Sequence, residues 1–307
     1  MQCKNKSKNI TCSEHMSEVA GHSSQLLEPE SVDQIASFVK DQMVEDGGFR
    51  GRTESSDLYY TLFGIECLQA LGHTFPLFRL EKYLAGFKEG NGLDFVHLTC
   101  LARCLAKLTD DTKRGNSRQA ILQRVDRYRS DGCGFRMTPD AKHDSIYATF
   151  LAFLVYEDTG MVIRDQRDLI RCFDSLKTKD GAYADQPGLS VGTTTVTAAA
   201  AVLLSYLGEK VDPSVGKWLV LRRSKYGGFL ATPNAPIPDL LSTATALFAL
   251  QTLRYPLEEI KEPCLTFIEE MWDDCGGFYG HICDTTPDCE YTFYGLLSLG
   301  ILMGDKG

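Results

Sequence analysis

The amino-acid sequence predicts an all-α protein, an α/α toroid of six helix pairs around a central cavity. Three observations carry that prediction. Glycine-aromatic turns recur along the 307 residues at spacings of 40 to 49. A stretch that is apolar on nearly every face follows the turns. A helix with one charged face precedes them. Self-similarity at such a period marks a repeat architecture, in which each unit buries its apolar face only against its neighbours.

The turns are Gly47-Gly48-Phe49, Gly90-Asn91-Gly92, Gly132-Cys133-Gly134-Phe135, Gly181-Ala182-Tyr183, Gly227-Gly228-Phe229 and Gly276-Gly277-Phe278. Gly48, Gly228 and Gly277 are expected to need positive φ or a close backbone approach. Segments 31–43, 77–87, 118–128 and 166–176 lie ahead of turns and are amphipathic, as outer helices are. Ser31 and Gln34 have the spacing of a capping box at the start of the first one. Past the turns, an Asp is followed three residues later by Tyr, His or Ser, as Asp57/Tyr60, Asp94/His97, Asp144/Tyr147, Asp239/Ser242 and Asp288/Tyr291. The fourth repeat has Ser190-Val191-Gly192-Thr193 instead. These marks open apolar runs, among them 58–71, 95–108, 193–207 and 240–253. A helix apolar all round is buried all round, so the inner helices favour a closed ring over residues 28–307. Residues 1–27 are polar and outside the repeat, and are expected to be a flexible or loosely attached segment.

Hydrophobic residues make up 43% of the chain, enough for a sizeable core, and the formal net charge is −9. That charge argues against a nucleic-acid partner, which needs a cationic face. The opening residues lack the apolar core of a signal peptide. The longest near-apolar run, 195–207, is shorter than the roughly 20 residues of a membrane span. The eleven cysteines are an odd number and several lie inside helical patterns, which suits reduced thiols. A soluble cytoplasmic protein is the expectation.

The repeat, with its GGF turn and the D-x-x-Y-T opening at Asp57 to Thr61, resembles the β subunit of protein prenyltransferases and the related terpene cyclase toroids. The resemblance covers roughly residues 30 to 303. It implies an isoprenoid diphosphate bound in an aromatic cavity, a catalytic zinc and an α-subunit-like protein partner. The family's zinc ligands are an Asp and a Cys opening the fifth inner helix and a His opening the last. Those positions here are Asp239, Leu241 and Tyr291. Leucine has no donor atom and neutral tyrosine is a poor zinc ligand, so no zinc is expected and Mg²⁺ has no independent support. The diphosphate-binding cations after the fifth turn are also missing from the segment 229–239, and His143 is only a partial stand-in for the family's Arg near the third inner helix.

The terpene cyclases protonate an alkene with an Asp, and Asp239 and Asp144 are the candidate acids here if the cavity desolvates them. The simpler role of each repeat Asp is a helix N-cap. Tyr59, Tyr60, Phe63, Phe95, Tyr147, Tyr291 and Tyr294 cluster at inner-helix starts and are candidates to line the cavity, where aromatic faces suit prenyl chains and cations; core packing is their plainer role. His97 copies the family's D-F-x-H lettering in the wrong repeat. Arg52 is a candidate anion contact or a surface cation. Cys275, His281, Cys283 and Cys289 are metal-type ligands without a metal-type spacing. Two functions remain open: a zinc-independent, prenyltransferase-like or cyclase-like enzyme that binds an isoprenoid, and a catalytically silent binding or interaction protein.

Overall fold

The computed structural model describes residues 10–108, 115–130 and 134–304, without the side chains of 115–117. The third turn's Gly132 and Cys133 therefore lie outside the described residues. A first helix, α1 (Cys12–His22), precedes six helix pairs. The outer members are α2 (Pro29–Asp41), α4 (Leu77–Gly86), α6 (Gly115–Val125), α8 (Gln166–Leu176), α10 (Pro213–Val220) and α12 (Glu258–Glu270). The inner members are α3 (Leu58–Ala70), α5 (Phe95–Lys107), α7 (Ile146–Asp158), α9 (Thr194–Tyr206), α11 (Leu240–Thr252) and α13 (Cys289–Gly304). Each inner helix packs on the next, and α13 packs back on α3 to close the ring. The one sheet among the described residues is a two-residue pair, Phe49–Arg50 with Ser56–Asp57.

Five of the units are held by the same small device. The turn aromatic is buried and its backbone N–H donates to a threonine on the first turn of the inner helix. The pairs are Phe49 to Thr61 (2.9 Å), Phe135 to Thr149 (3.0 Å), Tyr183 to Thr197 (3.1 Å), Phe229 to Thr243 (2.9 Å) and Phe278 to Thr292 (3.3 Å). In four of these units the hydroxyl also donates to the carbonyl of the residue opening the helix, from Thr61 to Asp57, Thr149 to Ser145, Thr243 to Asp239 and Thr292 to Asp288. All five threonines are fully buried, so each hydroxyl satisfies backbone groups that water cannot reach.

Asp57, Asp94, Asp239 and Asp288 accept from the backbone N–H groups of Tyr59, His97, Ser242 and Tyr291, as N-caps do. Asp144 does not: Ser145 caps α7 by accepting from the Ala148 N–H at 2.9 Å. The capping box expected at Ser31 and Gln34 is also absent. α2 begins earlier, with Pro29 in its first turn, where a missing N–H costs nothing. Gln34 instead donates to the Asp274 carbonyl of the last repeat.

The expectation for residues 1–27 needs correction for the part described. Thr11 and Glu14 make a reciprocal capping box that starts α1. Cys12, Val19 and Ala20 are buried, and the helix packs on α13, α3 and α7. The segment is polar because α1 meets the ring through hydroxyls and charges as well as apolar groups. Residues 1–9 lie outside the described residues.

Candidate functional site: the mouth and cavity of the ring

The six inner helices run the same way, so their N-termini share one rim. That rim is crowded with ionisable groups. Tyr59, on the first turn of α3, donates its hydroxyl to Glu290 Oε1 of α13 at 2.6 Å. Burial pushes the Glu290 carboxyl up to about 7; the Tyr59 hydroxyl and Arg52 pull it down and Asp288 adds to the rise. Beside it, Arg52 donates to both oxygens of Asp284 (2.9 and 2.6 Å) and to Asp288 (3.0 Å), with its guanidinium carbon 5.5 Å from the centre of the Tyr291 ring. On the other side of Tyr59, His97 is held between Asp94 (2.8 Å) and Asp57 (3.1 Å). Burial alone would lower the imidazole, but the two carboxylates hold it above its ordinary value.

Below the rim is an apolar cavity of about 120 Å³ to which all six inner helices contribute. Tyr59 and Phe63 of α3, Tyr147 and Phe150 of α7, Phe248 of α11 and Phe293 and Tyr294 of α13 supply its aromatic wall, and Ala198 and Ala199 of α9 leave space opposite. Phe63 lies edge-on to Tyr59 at 5.0 Å and tilted against Phe293 and Tyr294 at 5.7 and 5.5 Å. Burial raises the hydroxyls of Tyr59, Tyr147 and Tyr294 above the ordinary phenol value, so all three are neutral donors.

The sequence model described as the prenyltransferase alpha-alpha toroid domain matches residues 14–94, 95–213 and 197–306, nearly the whole chain. The protein belongs to this family. No curated protein matches it in sequence. Among solved structures it is similar to an alpha-1,6-mannanase of Salegentibacter sp. HEL1_6 bound to alpha-1,6-mannotriose, at a TM-score of 0.62 and 14% identity over 89% of this chain and 98% of that one. It is similar to the type II terpene cyclase MstE from Scytonema at a TM-score of 0.58 and 14% identity, over 90% and 97%. A protein geranylgeranyltransferase-I of Candida albicans, complexed with GGPP, superposes at 0.47 with 14% identity over 100% and 88%. The likenesses to the mannanase and the cyclase, with the family match, show the toroid fold. A glycosidase among them means that the family's fold does not dictate its chemistry.

The resemblance in sequence implies a catalytic zinc, and the donors at the positions it points to do not fit one. Asp239 caps α11, with its carboxyl raised by burial. Leu241 has nothing to donate. The Tyr291 hydroxyl is raised by burial and by Glu290, and stays neutral. Cys275, His281, Cys283 and Cys289 do not come together either. Cys275 and Cys283 are exposed, whereas Cys289 is buried with its carbonyl 3.5 Å from the Cys67 thiol. Among the described residues no three His, Cys, Asp or Glu side chains form a metal-holding group.

Of the residues singled out in the sequence, Tyr59, Phe63, Tyr147 and Tyr294 line the cavity. Tyr60 and Tyr291 flank the rim, covering Gly51 and Gly280. Phe95 is not a cavity residue: it is fully buried between Tyr128 and Phe135, at 4.6 and 6.4 Å, in the layer between inner and outer helices. His143 is exposed and does not line the cavity. Asp144 faces the third turn, accepting from the Gly134 N–H at 3.3 Å and lying 3.7 Å from Arg136. Arg52 is no free anion contact, since two carboxylates occupy it. The residue that sequence reasoning underrated is Glu290. It lies two residues after the repeat Asp288, so it reads as one more rim charge; only the meeting with Tyr59, 231 positions away, shows it as a buried acid.

Proposed function

We propose that this toroid binds an isoprenoid or similarly apolar chain in its central cavity and acts on it without zinc, as a terpene-cyclase-like or prenyltransferase-like enzyme of the cytoplasm, with Glu290 as the acid. The observation that supports this reading is a buried carboxyl that accepts from Tyr59 of the aromatic wall at 2.6 Å, with burial pushing it up to about 7. Near neutral pH such a group is protonated often enough to give a proton and ionised often enough to take one back. Asp239 and Asp144, the acids expected from the sequence, serve a helix cap and a turn instead.

The chemistry balances with the groups present. Protonated Glu290 accepts from Tyr59 on one oxygen and keeps a proton on the other. An alkene carbon takes that proton through its π pair, leaving a tertiary carbocation, and Glu290 becomes a carboxylate stabilised by the Tyr59 hydroxyl. The faces of Phe63, Phe293 and Tyr294 stabilise the cation, and loss of a proton to the carboxylate or to water ends the sequence.

The test is deuterium incorporation. Wild-type protein in D₂O with a panel of prenyl alcohols should place deuterium on an alkene carbon, and Glu290→Gln should not. Binding without incorporation into any member would replace the enzyme with the silent binding protein. Failure of every member to bind would remove the isoprenoid reading altogether.

A further inference from the structure

The far end of the ring, opposite the mouth, is closed by a helix that is not part of the repeat. α1 reaches every inner helix. Ser17 donates to Glu66 of α3 at 2.5 Å, and Arg103 of α5 donates to Ser13 at 2.9 Å. The Cys12 N–H donates to Glu157 of α7 at 2.8 Å. His15 pairs with the Tyr206 hydroxyl of α9 at 2.8 Å, and its ring centre lies 5.2 Å from that of Phe248 on α11. The Val19 carbonyl lies against Gly300 of α13 so closely that a Cβ there has no room.

The position is clamped by charge. Arg103 lies between Asp158 (2.9 Å) and Glu66 (3.2 Å), and Lys107 lies 3.0 Å from Glu66. The Arg103, Glu66 and Asp158 side chains are each less than a tenth exposed. Charge-assisted hydrogen bonds between buried partners fix geometry more firmly than apolar contact does.

One α1 residue lines the cavity, and it is Met16; Leu154, Val202 and Leu297, each a good two turns along its inner helix, line it as well. Methionine is unbranched and flexible, the side chain that fills an irregular gap. The space above it is about 120 Å³. An apolar cavity of about 150 Å³ holds a benzene molecule. This one therefore holds a group of about five carbons, well short of the roughly 300 Å³ of a typical ligand pocket.

We infer that α1 is the floor of the cavity and that Met16 determines chain length, so that the ring takes a single five-carbon isoprene unit beneath Glu290. This rests on the isoprenoid reading above. The helix performs the role from outside the repeat, which lets the floor change without altering the ring.

The test uses the full chain and five-, ten- and fifteen-carbon prenyl alcohols, with binding followed by calorimetry and folding by circular dichroism. Wild type should prefer the five-carbon alcohol. Met16→Ala should raise affinity for the ten-carbon alcohol about tenfold, the order expected for one or two more buried methylenes. Met16→Leu, of similar volume, should keep the wild-type preference, and Met16→Trp should lose binding. If wild type and Met16→Ala bind all three alcohols with the same preference, the floor is wrong while the isoprenoid reading stands. If wild type binds none and Met16→Ala binds the longer ones, Met16 blocks the cavity floor, but the five-carbon assignment and the isoprenoid reading both fail. If no variant binds any alcohol, both fall.

Discussion

Glu290 carries two pH signatures, and both decline as pH rises. Activity that needs its proton should decline as pH rises through about 7. Stability shows the same group in another way. Between the ordinary 4.5 and about 7 the folded chain keeps a proton that the unfolded chain has released, so stability falls as pH rises across that window. Glu290→Gln should flatten that part of a melting-temperature profile. Glu157, also pushed up to about 7 by burial, contributes a parallel slope that remains in the variant. An unchanged profile would show that Glu290 is not desolvated. The threonine device makes a second prediction. In Thr243→Val the shape is kept but the buried Phe229 N–H loses its acceptor, at a cost of about 1–3 kcal/mol. Denaturant melts measure this directly, and a cost near zero would mean that water reaches the turn. The aromatics at inner-helix starts were legible because a ring must line its centre with something. Which ones face inward was not, because Tyr59 and Tyr60 are adjacent on one helix and only its rotation about its axis separates wall from rim.

The elements were legible in proportion to their repetition. Six glycine turns predicted six helix pairs, and the inner helices were recognisable because they are apolar on every face. What the pattern left open was which of two reasons, positive φ or close approach, holds at each glycine. Gly47, Gly227 and Gly276 have positive φ, and so does Gly228, but neither Gly48 nor Gly277 does. A side chain on Gly277 instead meets the Phe38 ring of the neighbouring outer helix at 2.6 Å. Two costs can thus be separated. Gly72→Ala, at φ 69° with nothing nearby, should cost about 1 kcal/mol from backbone conformation alone. Gly227→Ala combines φ 79° with a collision against the Pro263 carbonyl and should cost clearly more; equal costs would mean that the backbone moves aside. α1 was misread because it has no second copy, and polarity without repetition resembles a tail. With its contacts to the ring, the span from Cys12 to His22 should resist limited proteolysis under native conditions. Rapid cleavage inside it would show that the helix leaves the ring.

At the scale of the whole molecule the ring depends on a seam, where repeat six meets repeat one without a covalent link. The chain cannot announce such a seam, because its partners are over two hundred positions apart. Arg52 joins Asp284 and Asp288 across it, and Gln34 reaches the Asp274 carbonyl beside it. Asp288 is the costly partner, with a side chain only 1% exposed against 39% for Arg52. Arg52→Met should therefore leave a buried carboxylate without its cation. A fully buried pair broken in this way costs about 3–5 kcal/mol, but the exposure of Arg52 means that solvent already screens part of the attraction, so about 1–3 kcal/mol is expected. Adding Asp288→Asn removes the stranded charge while an amide oxygen can still cap Tyr291, so the double variant should melt above Arg52→Met. The same substitution reaches the candidate acid. Arg52 is one of the groups that pull the Glu290 carboxyl down, so its loss should move any Glu290-dependent rate profile to higher pH. A lowered melting point with an unmoved profile would make Arg52 a clasp alone, and an unchanged melting point would mean that the ring is closed by the packing of α13 on α3 without it.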